Sequence, residues 1–169
     1  MKSALTLIAS AAIGGLFALP AFAAGDGGSS TPTCPTGQVY SQQKQMCIDA
    51  GAADDDSLTD YAYALAQDGR FEEALTTLDL LEQPDTAEAL NYRGYATRKL
   101  GRIEEGIGYY LQSVALDPEY ALVREYLGEA YVTQGKLDLA KEQLAEIEEL
   151  CGTTCEPYGD LAAAIESAG

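Results

Sequence analysis

From Ser57 onward the chain carries apolar residues at helical spacing. Leu58, Tyr61, Ala62 and Leu65 stand at i, i+3, i+4 and i+7, and Gly69 closes the run. Phe71, Ala74, Leu75, Leu78 and Leu81 form a second stripe, which predicts a helix halting before Pro84. Leu90, Gly94 and Thr97 mark a third, and Ile103, Ile107, Tyr110 and Val114 a fourth that stops at Asp117-Pro118. Leu127, Gly128 and Tyr131, then Leu137, Ala140, Leu144 and Ile147, give two more. Pro157 opens a last segment with Tyr158, Leu161, Ala162 and Ile165 on one face. The pattern predicts seven helices.

The stripes come in copies. Gly101, in Lys99-Leu100-Gly101-Arg102-Ile103, has its counterpart thirty-four residues later at Gly135, in Gln134-Gly135-Lys136-Leu137, and an earlier one at Gly69. A glycine between paired amphipathic helices at this period predicts an all-α solenoid of helix–turn–helix units. Three repeats occupy about 55–86, 87–120 and 121–152 within a block at 57–150. Each pair of helices leaves an apolar face that a neighbour must cover, so the segment 156–167 is expected as a cap. The copies are unequal. Gly106 stands where Ala74 and Ala140 stand in the others, with Gly108 two residues on. Each mid-helix glycine costs about 1 kcal/mol relative to alanine, so the second helix of the central repeat is expected to be the softest.

The N-terminal third reads differently. Residues 1–23 have a basic start, an apolar run from Ala4 to Leu19 and Ala21-Phe22-Ala23, the pattern of a cleaved export signal. The run is diluted by Thr6, Ser10, Gly14 and Gly15, so no membrane insertion is expected after cleavage. Residues 24–33 have linker composition. Residues 34–48, two short runs around a polar turn with Cys34 and Cys47 near the ends, suggest a disulfide-closed hairpin. Residues 49–56 form an acidic connector whose Asp54-Asp55-Asp56 suits a helix start. Four cysteines allow three pairings, which spacing does not decide; local pairing, Cys34 with Cys47 and Cys151 with Cys155, is the simplest. Their presence fits an oxidising compartment.

Residues 55–152 resemble tetratricopeptide repeats. Leu127-Gly128, Tyr131, Gly135 and Ala140 carry the pattern best; Gly94, Gly101, Tyr110 and Pro118 carry it in the middle copy, and Ala62, Leu65, Gly69, Ala74 and Leu78 in the first. The layout also resembles small exported proteobacterial repeat proteins, through Cys34-Pro35-Thr36-Gly37-Gln38-Val39-Tyr40 and Cys47. The first resemblance implies that the first helices of each pair line a concave groove that holds peptides. The second implies a periplasmic location and no defined activity.

Charge narrows the partners. Formal net charge is −17, which disfavours nucleic acid and anionic lipid. Arg93, Arg98, Lys99 and Arg102 nevertheless cluster in the central repeat. Helical spacing puts Asn91, Tyr95, Arg98, Lys99, Tyr126 and Glu129, with Tyr63, Gln67 and Thr133, on or near the groove side. The cations suit a peptide carboxylate, with Tyr95 and Tyr126 offering stacking area, and the tetratricopeptide resemblance implies that Asn91 joins Arg98 and Lys99 in gripping it. The competing reading is internal pairing with Glu88, Glu104 or Glu125.

Catalysis finds no support. Histidine is absent, as are a Gly-x-Ser-x-Gly elbow and a phosphate loop. Cys151-Gly152-Thr153-Thr154-Cys155 lacks the two-residue spacing of a redox pair and fits a structural staple; no metal or cofactor is implied. The sequence points to a protein-binding scaffold, with a structural subunit using its outer faces as the alternative. Oligomeric state is left open.

Overall fold

The computed structural model describes residues 31–169; the expected export signal and residues 24–30 lie outside the described residues. Two strands, β1 (Gln38–Ser41) and β2 (Met46–Asp49), form an antiparallel hairpin in which Tyr40 faces Cys47. A disulfide joins Cys34 to Cys47 with Cα atoms 5.6 Å apart. A 3-10 turn at Ala50–Ala52 leads into the helices. These are α1 (Asp55–Gln67), α2 (Phe71–Leu78), α3 (Ala87–Lys99), α4 (Ile103–Leu116), α5 (Ala121–Thr133), α6 (Leu137–Cys151) and α7 (Glu156–Ala168).

The recurring glycine has a specific task. It follows the C-cap of α1, α3 and α5, with φ of +84° at Gly101 and +71° at Gly135, a region that a side chain disfavours. Gly101 N–H donates to Arg98 C=O and Arg102 N–H to Thr97 C=O; Gly135 and Lys136 repeat this with Val132 and Tyr131. This pair of bonds is the Schellman closure, which satisfies the last carbonyls and turns the chain into the next helix. The next helix then opens with acidic residues, Glu72-Glu73, Glu104-Glu105 and Asp138, against its positive end.

Packing is asymmetric. Helices α1, α3, α5 and α7 contact one another in succession, forming an inner row. Helices α2, α4 and α6 pack on that row and at most graze each other among the described residues. The core has an N-terminal part, with Leu58, Tyr61, Leu65, Leu78 and Ala96, and a central part around Tyr110, Val123 and Leu127.

Three details differ from the sequence pattern. Helix α2 ends at Leu78, three residues short of the apolar stripe. Leu80 and Leu81 N–H bond back to Thr77 and Leu78 in tightened turns, and Leu81 is buried from this loop. The Asp55 carboxylate pins the same loop by accepting from Glu82 and Gln83 N–H at 2.9 and 2.8 Å, while Asp54 caps α1. The second difference is in the stretch read as linker. Thr31 is buried, its N–H donates to Asp68, and Arg70 and Tyr61 donate to Thr31 and Pro32 carbonyls.

The third concerns the small residues. Gly106 is a close-contact residue: a Cβ there would lie 2.9 Å from both the Gly94 carbonyl oxygen and Arg98 Cβ. Gly94 in turn leaves room for the Tyr110 ring, whose atoms would come within 2.6 Å of a Cβ. At Gly128 the close neighbour is Leu161 of α7, rather than the paired helix α6.

Candidate functional site

The inner row presents Tyr63 and Gln67 from α1, Tyr95, Arg98 and Lys99 from α3, and Tyr126, Glu129 and Thr133 from α5. Spacings of three and four residues keep each set on one side of its helix. Aromatic rings link the helices. Tyr63 stacks on Tyr92 with centroids 4.7 Å apart, Tyr95 meets Tyr126 at 4.9 Å, and Phe71 touches Tyr95 edge-on at 6.3 Å. Burial pushes the Tyr95 and Tyr126 phenols up, which keeps these two uncharged at neutral pH. Tyr63 is 37% exposed, and with Gln67 it also lines a cleft of about 440 Å³ against Thr31, Pro32, Tyr40 and Gln42.

The basic cluster is largely committed within the protein. Arg98 Nη2 donates to Glu129 Oε2 at 2.6 Å across the α3–α5 boundary, and its Nε donates to Tyr110 Oη at 3.3 Å. The Arg98 side chain is 8% exposed. Arg93 pairs with Asp79 at 2.7 Å and Arg102 with Glu105 at 3.4 Å. Lys99 makes no ion pair among the described residues; its Nζ sits 5.2 Å from the Tyr95 ring centroid, a cation–π distance.

The carboxylates first considered as partners do other things. Glu88 accepts from the Tyr92 hydroxyl and Glu104 from the Gln134 amide. Asn91 does not reach the groove surface. It is fully buried, and its Nδ2 donates to Tyr120 Oη at 3.1 Å. The set expected to grip a carboxylate is therefore not assembled: the amide is sealed in, and the guanidinium is neutralised.

Glu125, the third acid that the sequence offers the basic cluster as an internal partner, pairs with none of its cations among the described residues. It is 4% exposed and makes no hydrogen bond or ion pair among the described residues. Burial pushes its carboxyl up to about 8, with Glu129, Asp160 and Glu156 adding to the rise and Arg98 opposing it. Its i, i+4 relation to Glu129 was visible in the sequence. Its burial was not, because that depends on α7 closing onto Gly128.

Helix α7 is tied to α6 by the disulfide between Cys151, the last residue of α6, and Cys155, the N-cap of α7, with Cα atoms 6.0 Å apart. Leu161 is fully buried between them and α5. This fixes Glu156 and Asp160 at the end of the inner row.

No helix among the described residues is long and apolar enough to cross a membrane. No curated protein matches the chain. Among solved structures, the fold is similar to the Yersinia enterocolitica type III secretion translocator chaperone SycD in an alternative dimer. That match has 19% identity and a TM-score of 0.55, covering 67% of this chain and 86% of that one. It is also similar to SycD in complex with a peptide of the translocator YopD, at 19% identity and TM-score 0.54, covering 67% and 87%. The tetratricopeptide repeat model matches residues 62–121 and again 93–151, which together run from the second half of α1 to the end of α6. With its Schellman-closed helix pairs and close-packed small residues, the chain belongs to the tetratricopeptide repeat family.

Proposed function

We propose that this protein is a non-catalytic scaffold that holds a segment of a partner protein along the inner helix row. The observation that carries the reading is the aromatic band that runs across α1, α3 and α5 along the inner row. Rigid aromatic surface gives large contact area at small entropic cost. The similarity of the fold to a chaperone solved with a bound peptide supports the same use here. Two disulfides support an exported, periplasmic setting, in line with the signal-like residues 1–23. A second reading, assembly through the outer faces, is favoured by Leu111 and Leu116 of α4, which are 49% and 57% exposed. Photo-crosslinking in cells separates the two. A crosslinker at Tyr63 or Lys99 captures the partner under the first reading. Capture from Leu111 or Leu116 alone supports the second. Fractionation of the same cells tests the location.

A further inference from the structure

Resting on the groove reading, we infer that the bound segment carries a lysine or arginine beside its apolar or aromatic residues, and that this cation seats on Glu125 at the α5–α7 end of the inner row. Three observations carry it. First, Glu125 is an almost wholly buried acid without an internal partner among the described residues, although a buried polar group normally has one. Second, its carboxyl oxygens are not sealed: the side-chain atoms that are both fully enclosed and unpartnered are Asn91 Oδ1 and Gln134 Oε1, and those of Glu125 are not among them. The carboxyl therefore keeps some contact with solvent, and its i, i+4 neighbour Glu129 lies on the same side of α5. Third, the field around it calls for positive charge. Glu129, Glu156 and Asp160 face Glu125, and Arg98, the nearby cation, is held by Glu129.

The geometry also gives the neighbouring subsites. Glu125 and Tyr126 stand four and three residues before Glu129 on α5, and Tyr95, which also feels the Glu125 charge, lies 4.9 Å from Tyr126, so apolar or aromatic flanks of the cation meet the ring band. Seating a cation on Glu125 favours the carboxylate over the acid. At neutral pH the empty groove holds Glu125 largely as the acid, so binding moves its proton to solvent and leaves a carboxylate–ammonium or carboxylate–guanidinium pair. The charged and titratable groups around Glu125 are Glu129 and Tyr126 on α5, Tyr95 and Arg98 on α3, and Glu156 and Asp160 on α7. Helix α6 meets the other side of α5, where Arg124 engages Gln143 and Glu146.

The test uses twelve-residue synthetic peptides selected by phage display on the intact, disulfide-bonded protein. Each is resynthesised with its Lys or Arg replaced by norleucine. The expected result is at least a tenfold loss of affinity for the norleucine peptide on the native protein, and less than threefold on Glu125→Gln. Titration calorimetry at pH 7 in buffers of different ionisation enthalpy should show proton release on the native protein and none on Glu125→Gln. Asp160→Asn, on exposed α7, should weaken the Lys or Arg peptide several-fold and serves as a second variant. Peptides that lose binding on Tyr63→Ala yet are indifferent to norleucine and to both carboxyl variants would overturn the inference and leave the groove reading standing. Selected peptides indifferent to Tyr63→Ala and Lys99→Ala as well would overturn both.

Discussion

Arg98 of α3 and Glu129 of α5 meet at 2.6 Å, and through that contact the central repeat is locked to the third. The guanidinium also donates from Nε to the Tyr110 hydroxyl oxygen of α4, so one side chain ties three helices. The cation that the sequence offers to an external carboxylate is used as an internal fastener.

Breaking this fastener should destabilise the protein. Arg98→Met leaves Glu129 beside Glu125 without its counter-ion. Loss of one member of a buried pair costs about 3–5 kcal/mol, and the partial exposure of Glu129 reduces this to about 2 kcal/mol. Urea unfolding of Arg98→Met, Glu129→Gln and the double variant should give a coupling of about 1–2 kcal/mol. Coupling near zero would show that the contact is not holding the repeats together.

Stability should fall as pH rises through the Glu125 transition. Its folded value, about 8, lies above the ordinary 4.5, so the folded state holds a proton that the unfolded state has released. The contribution is complete below pH 4.5 and is lost as pH climbs to about 8. Glu125→Gln removes this component. Its melting temperature should decline less than that of the native protein between pH 5 and about 8.5, and parallel curves would refute the assignment.

The glycines of the central repeat should respond in opposite directions. A Cβ at Gly108 meets nothing within 4 Å, so Gly108→Ala should stabilise by about 0.5–1 kcal/mol through helix propensity. Gly106→Ala forces a backbone carbonyl and Arg98 away from 2.9 Å and should destabilise by about 1–3 kcal/mol. Equal effects in denaturant melts would mean that the α3–α4 contact is not close-packed.

The Cys34–Cys47 bridge should matter locally. Closing a loop of about 14 residues contributes on the order of 3 kcal/mol in the chain-entropy model. The hairpin otherwise relies on few anchors, chiefly Val39 and the partly buried Tyr40 and Ile48 against the α1 core. Replacing both cysteines by alanine should speed hydrogen exchange across β1 and β2 while α3 to α6 stay protected. Loss of protection throughout would make the hairpin part of the global folding unit.

The helices were legible because their signals are local. Apolar spacing and the glycine at each Schellman closure marked α1, α3, α5 and α7 and the turns after the first three. The end of α2 was not legible, because it is set by Asp55 holding the 82–83 backbone from the far side of the repeat. In the groove, Tyr95, Lys99 and Tyr126 stand on the side that periodicity indicated. The fates of Arg98 and Asn91 depend on Glu129 and Tyr120, each about thirty positions away. Spacing tells which face a side chain shares but not the distant neighbour that claims it, which for Arg98 belongs to the next repeat.

Binding along the inner helix row should be visible in hydrogen exchange of the intact protein with and without a synthetic peptide covering the partner segment that crosslinks in cells. Exchange should slow on α1, α3 and α5, with α7 following, and change little on the exposed faces of α4 and α6. Slowed exchange confined to α4 and α6 would contradict such binding.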